Sequence, residues 1–429
     1  MKPMARSRCG GLLVGASAIV LGLVTTQARS ARQQVPWPGM LDEHPAIQYA
    51  VRPTTDRVAR LKESMARSGI AFERDARTGY LASVLKSLDI PVQSQILVFS
   101  KTGVQRSYIS PHNPRALFFN QSVLVGYVPG APVLEIAAHD PQQGIIFYTL
   151  DQNATNPALT RRTSCLACHV SASTLNVPGL VVRSNFVADD GTPIPEEGSN
   201  DVTHQTPHPD RWGGYFVTSN AAPAPYGQRA HLGNITFSGR GITSDQIFID
   251  WINSSPETRG YLSGSSDIIS LLLFDHQNHA INLMIRLNWE SRVAASDGRS
   301  GVSDPNIRGL VNELADYLLF VGEAPPSVPL TPLPGFAEQL VSRFPKDRQG
   351  RSCAQMDLVN NLMRYPCSYM VYSEAFDGLS PAVKEEVYLR MADVLTTAAK
   401  QTRDARLPTD ERRAALEILR DTKPDFPRR

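Results

Sequence analysis

Five cysteines in 429 residues leave little thiol chemistry to place, and what is missing around them narrows the field. Only one C-x-x-C pair is present. A structural zinc site needs a second such pair or an H-x-H arrangement, so zinc is disfavoured. A thioredoxin-like active site needs a βαβ context, which this Pro- and Gly-broken sequence lacks. Charge of one sign is also missing. The formal net charge is +2, with 20% charged residues, which gives no argument for nucleic acid or an anionic membrane as partner. No internal repeat or low-complexity tract occurs. Past the first thirty residues no apolar run is long and clean enough to span a membrane. The best one, Ile268–Leu287, is interrupted by Asp275, His276, His279, Asn282 and Arg286.

The N-terminus reads as a secretory signal peptide over residues 1–28. Lys2, Arg6 and Arg8 form a basic start, Gly10 to Val24 an apolar run, and Thr26-Gln27-Ala28 a small-residue cleavage site. Cys9 precedes the apolar run, so it is not placed as a lipidated cysteine. The mature chain is expected to be exported and to keep Cys165, Cys168, Cys353 and Cys367. In an oxidising compartment Cys353 and Cys367 can pair; two buried free thiols are the alternative.

With 42% hydrophobic residues, core material is ample, and a chain this long is expected to exceed one core. Residues 29–93 read as an extended entry followed by helices at about 55–65 and 79–88. From residue 94 to 240 the pattern is that of short strands: "QILVFS", "RALFFN", "VLVGYV", "VLEIAA" and "GIIFYTL", then "GLVVRSNFV" and "GGYFVTS". Turn-forming Pro, Gly, Asn and Asp separate them. From 241 to 429 the chain becomes helical. A long helix is capped by Ser266-Asp267, and further helices are expected near 304–320, 335–344, 354–363, 380–400 and 409–420. The fold class is therefore α+β, a β-rich half followed by a helical half.

In the β-rich half lies Cys165-Leu166-Ala167-Cys168-His169, a C-x-x-C-H motif. Its chemistry is covalent haem attachment. The two thiols add to the vinyl groups, and the adjacent histidine ligates the iron. One motif means one haem c, and the logic of two-haem peroxidases cannot apply. Such haems are usually attached in the bacterial periplasm, which agrees with the export signal.

The sixth iron ligand is open from sequence. His204 and His208 in "THQTPHPDRWGGYF" and His231 in "QRAHLGN" are candidates, His204 first and His231 second, against ordinary surface-loop histidines. Trp212 can pack on the haem, with Gly213 and Gly214 allowing close approach, or belong to the core. On the long helix His276, His279, Arg286 and Glu290 share one face. That stripe either lines the haem pocket, with Arg286 towards a propionate, or is solvated; Met284, opposite His279, is expected in the core. Arg161 and Arg162 can neutralise propionates or be simply exposed.

With these stretches in view, the chain resembles a group of exported bacterial single-haem c-type cytochrome proteins without an established activity. The resemblance is carried by "SPHNPRALFFN", "GIIFYTLDQ", "SCLACHVSASTLNVPGLVVRS", "DRWGGYFVT", "LLLFDHQNHAINLM" and "YPCSYMVYSEAFD", covering most of residues 94–376. It implies a haem site at Cys165, Cys168 and His169 and supports a role for the segment from Thr203 to Gly214. It brings no substrate, and it differs from class I cytochromes c, whose motif opens an all-helical domain. The expectation is a periplasmic electron carrier with a redox partner protein. The alternatives are a haem oxidoreductase or peroxidase, with His276, His279 and Arg286 as distal groups, and a haem-based sensor.

Overall fold

The computed structural model describes residues 41–218, the strand 230–232, and residues 260–299, 301–326, 329–330, 335–397 and 408–428. The signal-like N-terminus and the segment 243–255 lie outside them. The architecture is α+β, a β-rich half followed by a helical half.

Two helices precede the sheet, α1 (Arg57–Ser68) and α2 (Leu81–Ser87). Asp56 caps α1 by accepting from the N–H groups of Val58 and Ala59 at 2.8 and 3.0 Å, and Gly69 closes it in the left-handed region. Strands β1 (Ile96–Val98), β2 (Arg115–Phe119), β3 (Val123–Tyr127), β4 (Val133–Asp140), β5 (Gly144–Asp151) and β6 (Thr160–Arg161) form an antiparallel meander. After it come the helical turn α3 (Leu166–His169) and a two-stranded ribbon, β7 (Val182–Asn185) with β8 (Ser199–Val202). Strand β9 (Tyr215–Thr218) returns to pair with β1, and β10 (Ala230–Leu232) extends that edge. The main sheet thus has eight strands in the order β10-β9-β1-β2-β3-β4-β5-β6.

The period-2 pattern gives this sheet two different faces. Register places Phe118, Val125, Ile136 and Tyr148 in one cross-strand row. That face packs towards α1, where the Tyr148 hydroxyl donates to Asp56 Oδ2 at 2.7 Å. The opposite face carries the rows Leu117–Gly126–Glu135–Thr149 and Phe119–Leu124–Ala137–Phe147. The long helix α4 (Ile268–Ser296) is laid against it, with the rings of Phe119 and Phe274 5.0 Å apart. At 29 residues α4 is about 44 Å long, and it is buried on nearly every side, so it organises the core. Helices α5 (Pro305–Leu318), α6 (Phe336–Ser342), α7 (Glu374–Asp377), α8 (Pro381–Thr396) and α9 (Thr409–Thr422) complete the helical half. Sheet and helices share one hydrophobic core. Among the described residues no helix is long and apolar enough to cross a membrane.

One expected helix is not formed. Residues 354–363 run as turns, with an isolated antiparallel bridge between Met356 and Met363 and a left-handed Leu358. The cause is covalent. Cys353 and Cys367 are joined, with their Cα atoms 5.2 Å apart, so the chain between them must double back.

Candidate cofactor site

The motif sits on a single turn of helix. The N–H groups of Cys168 and His169 both bond the Cys165 carbonyl, at 3.1 and 3.0 Å. This i, i+3 spacing puts both sulfurs on one side of the turn. Neither is in a disulfide, and Cys165 is half-buried while Cys168 is exposed. Both cysteines and His169 open into a cavity of about 690 Å³ over the α4-facing side of the sheet. That is within the range of about 300–1,000 Å³ typical of cofactor pockets. Its floor is apolar and partly small-residue, made by Leu117, Gly126, Ala137 and Phe147, and Phe274 and Tyr215 form walls.

The histidine is held by a set of mutually supporting contacts. His169 Nδ1 lies 2.9 Å from the Gly179 carbonyl, which can only accept, so Nδ1 carries the proton. Nε2 is then the nitrogen with a free lone pair. The Gly179 N–H donates back to the His169 carbonyl at 3.0 Å. The next residue is clamped from α4. Asn282 Nδ2 donates to the Leu180 carbonyl at 2.7 Å, and Asn282 Oδ1 accepts from the Leu180 N–H at 3.2 Å. The ring of His169 rests on Phe147 with centroids 4.6 Å apart. Burial lowers its pKa, which keeps the imidazole neutral as a ligand must be.

No side chain fits at Gly179. A Cβ there would lie 2.3 Å from Asn282 Oδ1 and 3.1 Å from Thr174 Cβ. Asn282 cannot retreat without abandoning both bonds to Leu180. Gly179→Ala is therefore expected to cost about 3 kcal/mol through overpacking and lost buried hydrogen bonds. Urea unfolding measures this, and a change under about 0.5 kcal/mol would show that the clamp does not constrain the loop.

Charge enters the cavity through Arg115, whose guanidinium is 3.8 Å from Glu135, and through Arg106 at the rim. Arg115 Nε is buried without a partner among the described residues. The donor set suits one haem c: two free thiols on one turn, an imidazole with Nε2 uncommitted, an apolar floor, and a guanidinium group for an anionic propionate. Cys165, Cys168 and His169 would hold it, with Arg115 at its charged edge. When bound, such a group supplies one-electron redox chemistry at iron.

Other expected residues sit elsewhere. His204 does not line this cavity. It is 1% exposed, with Nδ1 2.8 Å from His276 Nδ1, while His276 Nε2 reaches the Ser368 hydroxyl at 2.6 Å. Tyr317 stacks on His204 at 4.0 Å, and His279 packs on the Tyr317 ring at 4.8 Å. The histidine part of the α4 stripe, His276 and His279, is thus a seam against α5 and does not line the cavity. Trp212 joins the same region, its Nε1 donating to Asp275 Oδ2 at 2.9 Å. Arg211 stands 3.4 Å from that oxygen and also donates to the carbonyls of Thr206 and His204. Gly213 and Gly214 let the backbone of Asn185 and the side chain of Ser100 approach closely, so the room they give is used within the protein. Met284 is core, as expected. Arg286 pairs with Glu290 at 2.5 Å and donates to the Leu175 carbonyl, fixing the loop after the motif from outside the cavity. Arg161 donates to carbonyls of Tyr49 and Arg52, and Arg162 to the Thr149 hydroxyl at 2.9 Å. The backbone of His231 pairs with Val217, and its side chain lies outside the described residues.

Burial leaves the histidines of this region neutral. It lowers His276 and His208 to about 3, His279 to about 4, and His204 well below its ordinary value. Burial also pushes Asp275 up to about 7, against the pull of Arg211 and the Trp212 hydrogen bond. Sequence reading did not find Arg115, Glu135, Phe147, Gly179 or Asn282. Only the register of four strands and the path of α4 bring them to the motif.

Compared with known proteins, the chain matches no family model, no curated protein and no solved structure.

Proposed function

We propose that this chain is an exported c-type cytochrome that binds one covalent haem through Cys165, Cys168 and His169 and passes electrons to a partner redox protein. One observation carries the reading. Both motif thiols and an imidazole whose Nδ1 is committed to the Gly179 carbonyl open together into a cofactor-sized, largely apolar cavity. The Cys353–Cys367 disulfide supports an oxidising compartment such as the periplasm. The resemblance to single-haem c-type proteins points the same way.

A second reading, a haem that binds and reacts with small ligands as an oxidoreductase or sensor, has its own support. Among the described residues lining the cavity, His169 is the only histidine, and no methionine is present. A sixth ligand then comes from residues such as His231 or is absent. The test starts with the full chain produced in a host that attaches haem. A pyridine haemochrome giving one haem per chain supports the cytochrome reading, and a chain without covalent haem overturns it. Carbon monoxide then separates the roles. An unchanged ferrous spectrum fits a six-coordinate carrier, and a shifted one fits the ligand-reactive reading. If His231→Ala turns an unreactive protein reactive, His231 is the sixth ligand.

A further inference from the structure

The loop that joins the motif turn to β7, residues 170–181, carries two successive left-handed residues. Leu175 and Asn176 stand at φ 57° and 59°, a conformation that is costly to a residue with a Cβ. Neither is glycine, and such a pair persists only where its surroundings hold it in place.

The path these two residues create closes the loop on His169 twice. At its start the Ser171 N–H donates to the Thr174 hydroxyl at 2.9 Å, and that hydroxyl lies 3.3 Å from the His169 carbonyl. At its end Gly179 meets the same residue. Its N–H donates to the His169 carbonyl at 3.0 Å, and its carbonyl accepts from Nδ1 at 2.9 Å.

Both flanks of the loop are held from α4. Arg286 Nη1 donates to the Leu175 carbonyl at 3.1 Å, and its Nη2 is fixed by Glu290 at 2.5 Å. Asn282 engages the N–H and the carbonyl of Leu180, at 3.2 and 2.7 Å. Asn282, Arg286 and Glu290 recur every fourth residue and so form one row along the helix. Asn282 is buried, and the Arg286–Glu290 pair is largely so. An ion pair taken out of water adds little stability by itself, so what the row holds matters more than the pair. What it holds is the strained loop, and what the loop delivers is the Gly179 carbonyl. An imidazole in water exchanges between two tautomers; this carbonyl confines the proton to Nδ1 and leaves Nε2 bare.

We propose that Asn282 and Arg286 are positioning residues for His169. Through Leu180 and Leu175 they keep the Gly179 carbonyl against Nδ1, and so fix the tautomer, direction and donor strength of the imidazole at Nε2. The consequence for iron rests on the reading of His169 as an axial ligand; the consequence for the imidazole does not. An acceptor at Nδ1 raises the basicity of a ligating histidine. Loosening it favours the ferrous over the ferric state, so the midpoint potential rises.

The experiment uses the full chain, produced with and without haem attachment, in native form and as Asn282→Ala, Arg286→Met and Arg286→Lys. Without haem, nitrogen-15 NMR of the His169 ring is expected to show only the Nδ1–H tautomer in the native chain. Both tautomers are expected in Asn282→Ala and Arg286→Met. Exchange of the Nδ1 proton in these variants is expected to be about tenfold faster, as for the loss of one net hydrogen bond. With haem, both variants are expected to keep one haem per chain and to show a potential above the native value. Arg286→Lys retains a donor for the Leu175 carbonyl and is expected to return both readouts towards native. A native chain with hydrogen on Nε2 overturns the proposal. So does a folded Arg286→Met whose tautomer and potential are unchanged, a changed tautomer with an unchanged potential, or an Arg286→Lys no closer to native than Arg286→Met. Arg286 is the more exposed of the two, and the native spectrum needs no variant, so an unfolded Asn282→Ala does not blunt the test. A chain that attaches no haem overturns the cytochrome reading instead, and the tautomer measurements still decide the positioning role.

Discussion

Protein carrying both Cys165→Ala and Cys168→Ala is expected to leave a haem-attaching host with no haem band on a denaturing gel, where the native chain shows one. The effect is all or none because the thioether bonds alone survive denaturation. In the proposed cytochrome each cysteine would form its own bond. The turn set by the Cys165 carbonyl holds both sulfurs on one side, and the cavity floor of Leu117, Gly126, Ala137 and Phe147 lies under them. If the cavity of about 690 Å³ holds the proposed haem, the same double variant leaves it without that group. A ligand that binds only the native state stabilises it by about 4 kcal/mol at a thousandfold excess over Kd. A fall in Tm of about 5 °C is therefore expected as well. His169→Ala is expected to keep the haem band and lose the imidazole-ligated spectrum. Haem retained on the gel by the double cysteine variant would sink the assignment of these thiols.

That expectation rests on the part of the molecule most readable in one dimension. Cys165, Cys168 and His169 are contiguous, so their chemistry needs no knowledge of the fold. The meander was similarly legible, since each strand declares itself by alternation and each turn by Pro, Gly, Asn or Asp. What frames the motif was not legible. Arg115 and Glu135 meet on different strands only after register is fixed, and Asn282 reaches Leu180 across 102 residues. Nothing local in "HAINLM" announces a clamp. His204 misled for the opposite reason. A histidine among prolines looks like a fixed surface ligand, and the feature that buries it, the stack with Tyr317 and the bond to His276, is again long-range. Residues 354–363 carry a plausible helical pattern, which a covalent closure between Cys353 and Cys367 overrides.

The seam between α4 and α5 therefore belongs to stability rather than to the cofactor, and it has a consequence in acid. His139 and His279 are lowered to about 4, His208 and His276 to about 3, and His204 well below its ordinary value, all chiefly by burial. In the unfolded chain these five take up protons near pH 6.5, while the native chain keeps them neutral. Between pH 6.5 and about 4 the unfolded state then binds more protons from this set, so their contribution to stability is lost as pH falls. Three buried carboxyls act in the other direction. Asp275 and Glu323 are raised to about 7, and Asp56 is raised as well, so the native chain holds protons there that the unfolded chain releases. Five histidines against the two carboxyls raised to about 7, with Asp56 adding to the carboxyl side in direction only, leave an excess of two to three. Each net proton is worth about 1.4 kcal/mol per pH unit, so stability is expected to fall by about 3 kcal/mol per unit across this window. Over the window from pH 6.5 to about 4 that amounts to about 7 kcal/mol, comparable with a native stability of about 5–15 kcal/mol. Tm measured at pH 7.5, 6.5, 5.5 and 4.5 is expected to hold between the first two and drop steeply thereafter. A flat profile down to pH 4.5 would mean that the buried histidines are protonated or hydrated in the native state, and that the seam joining His204, His276 and Ser368 is open to water.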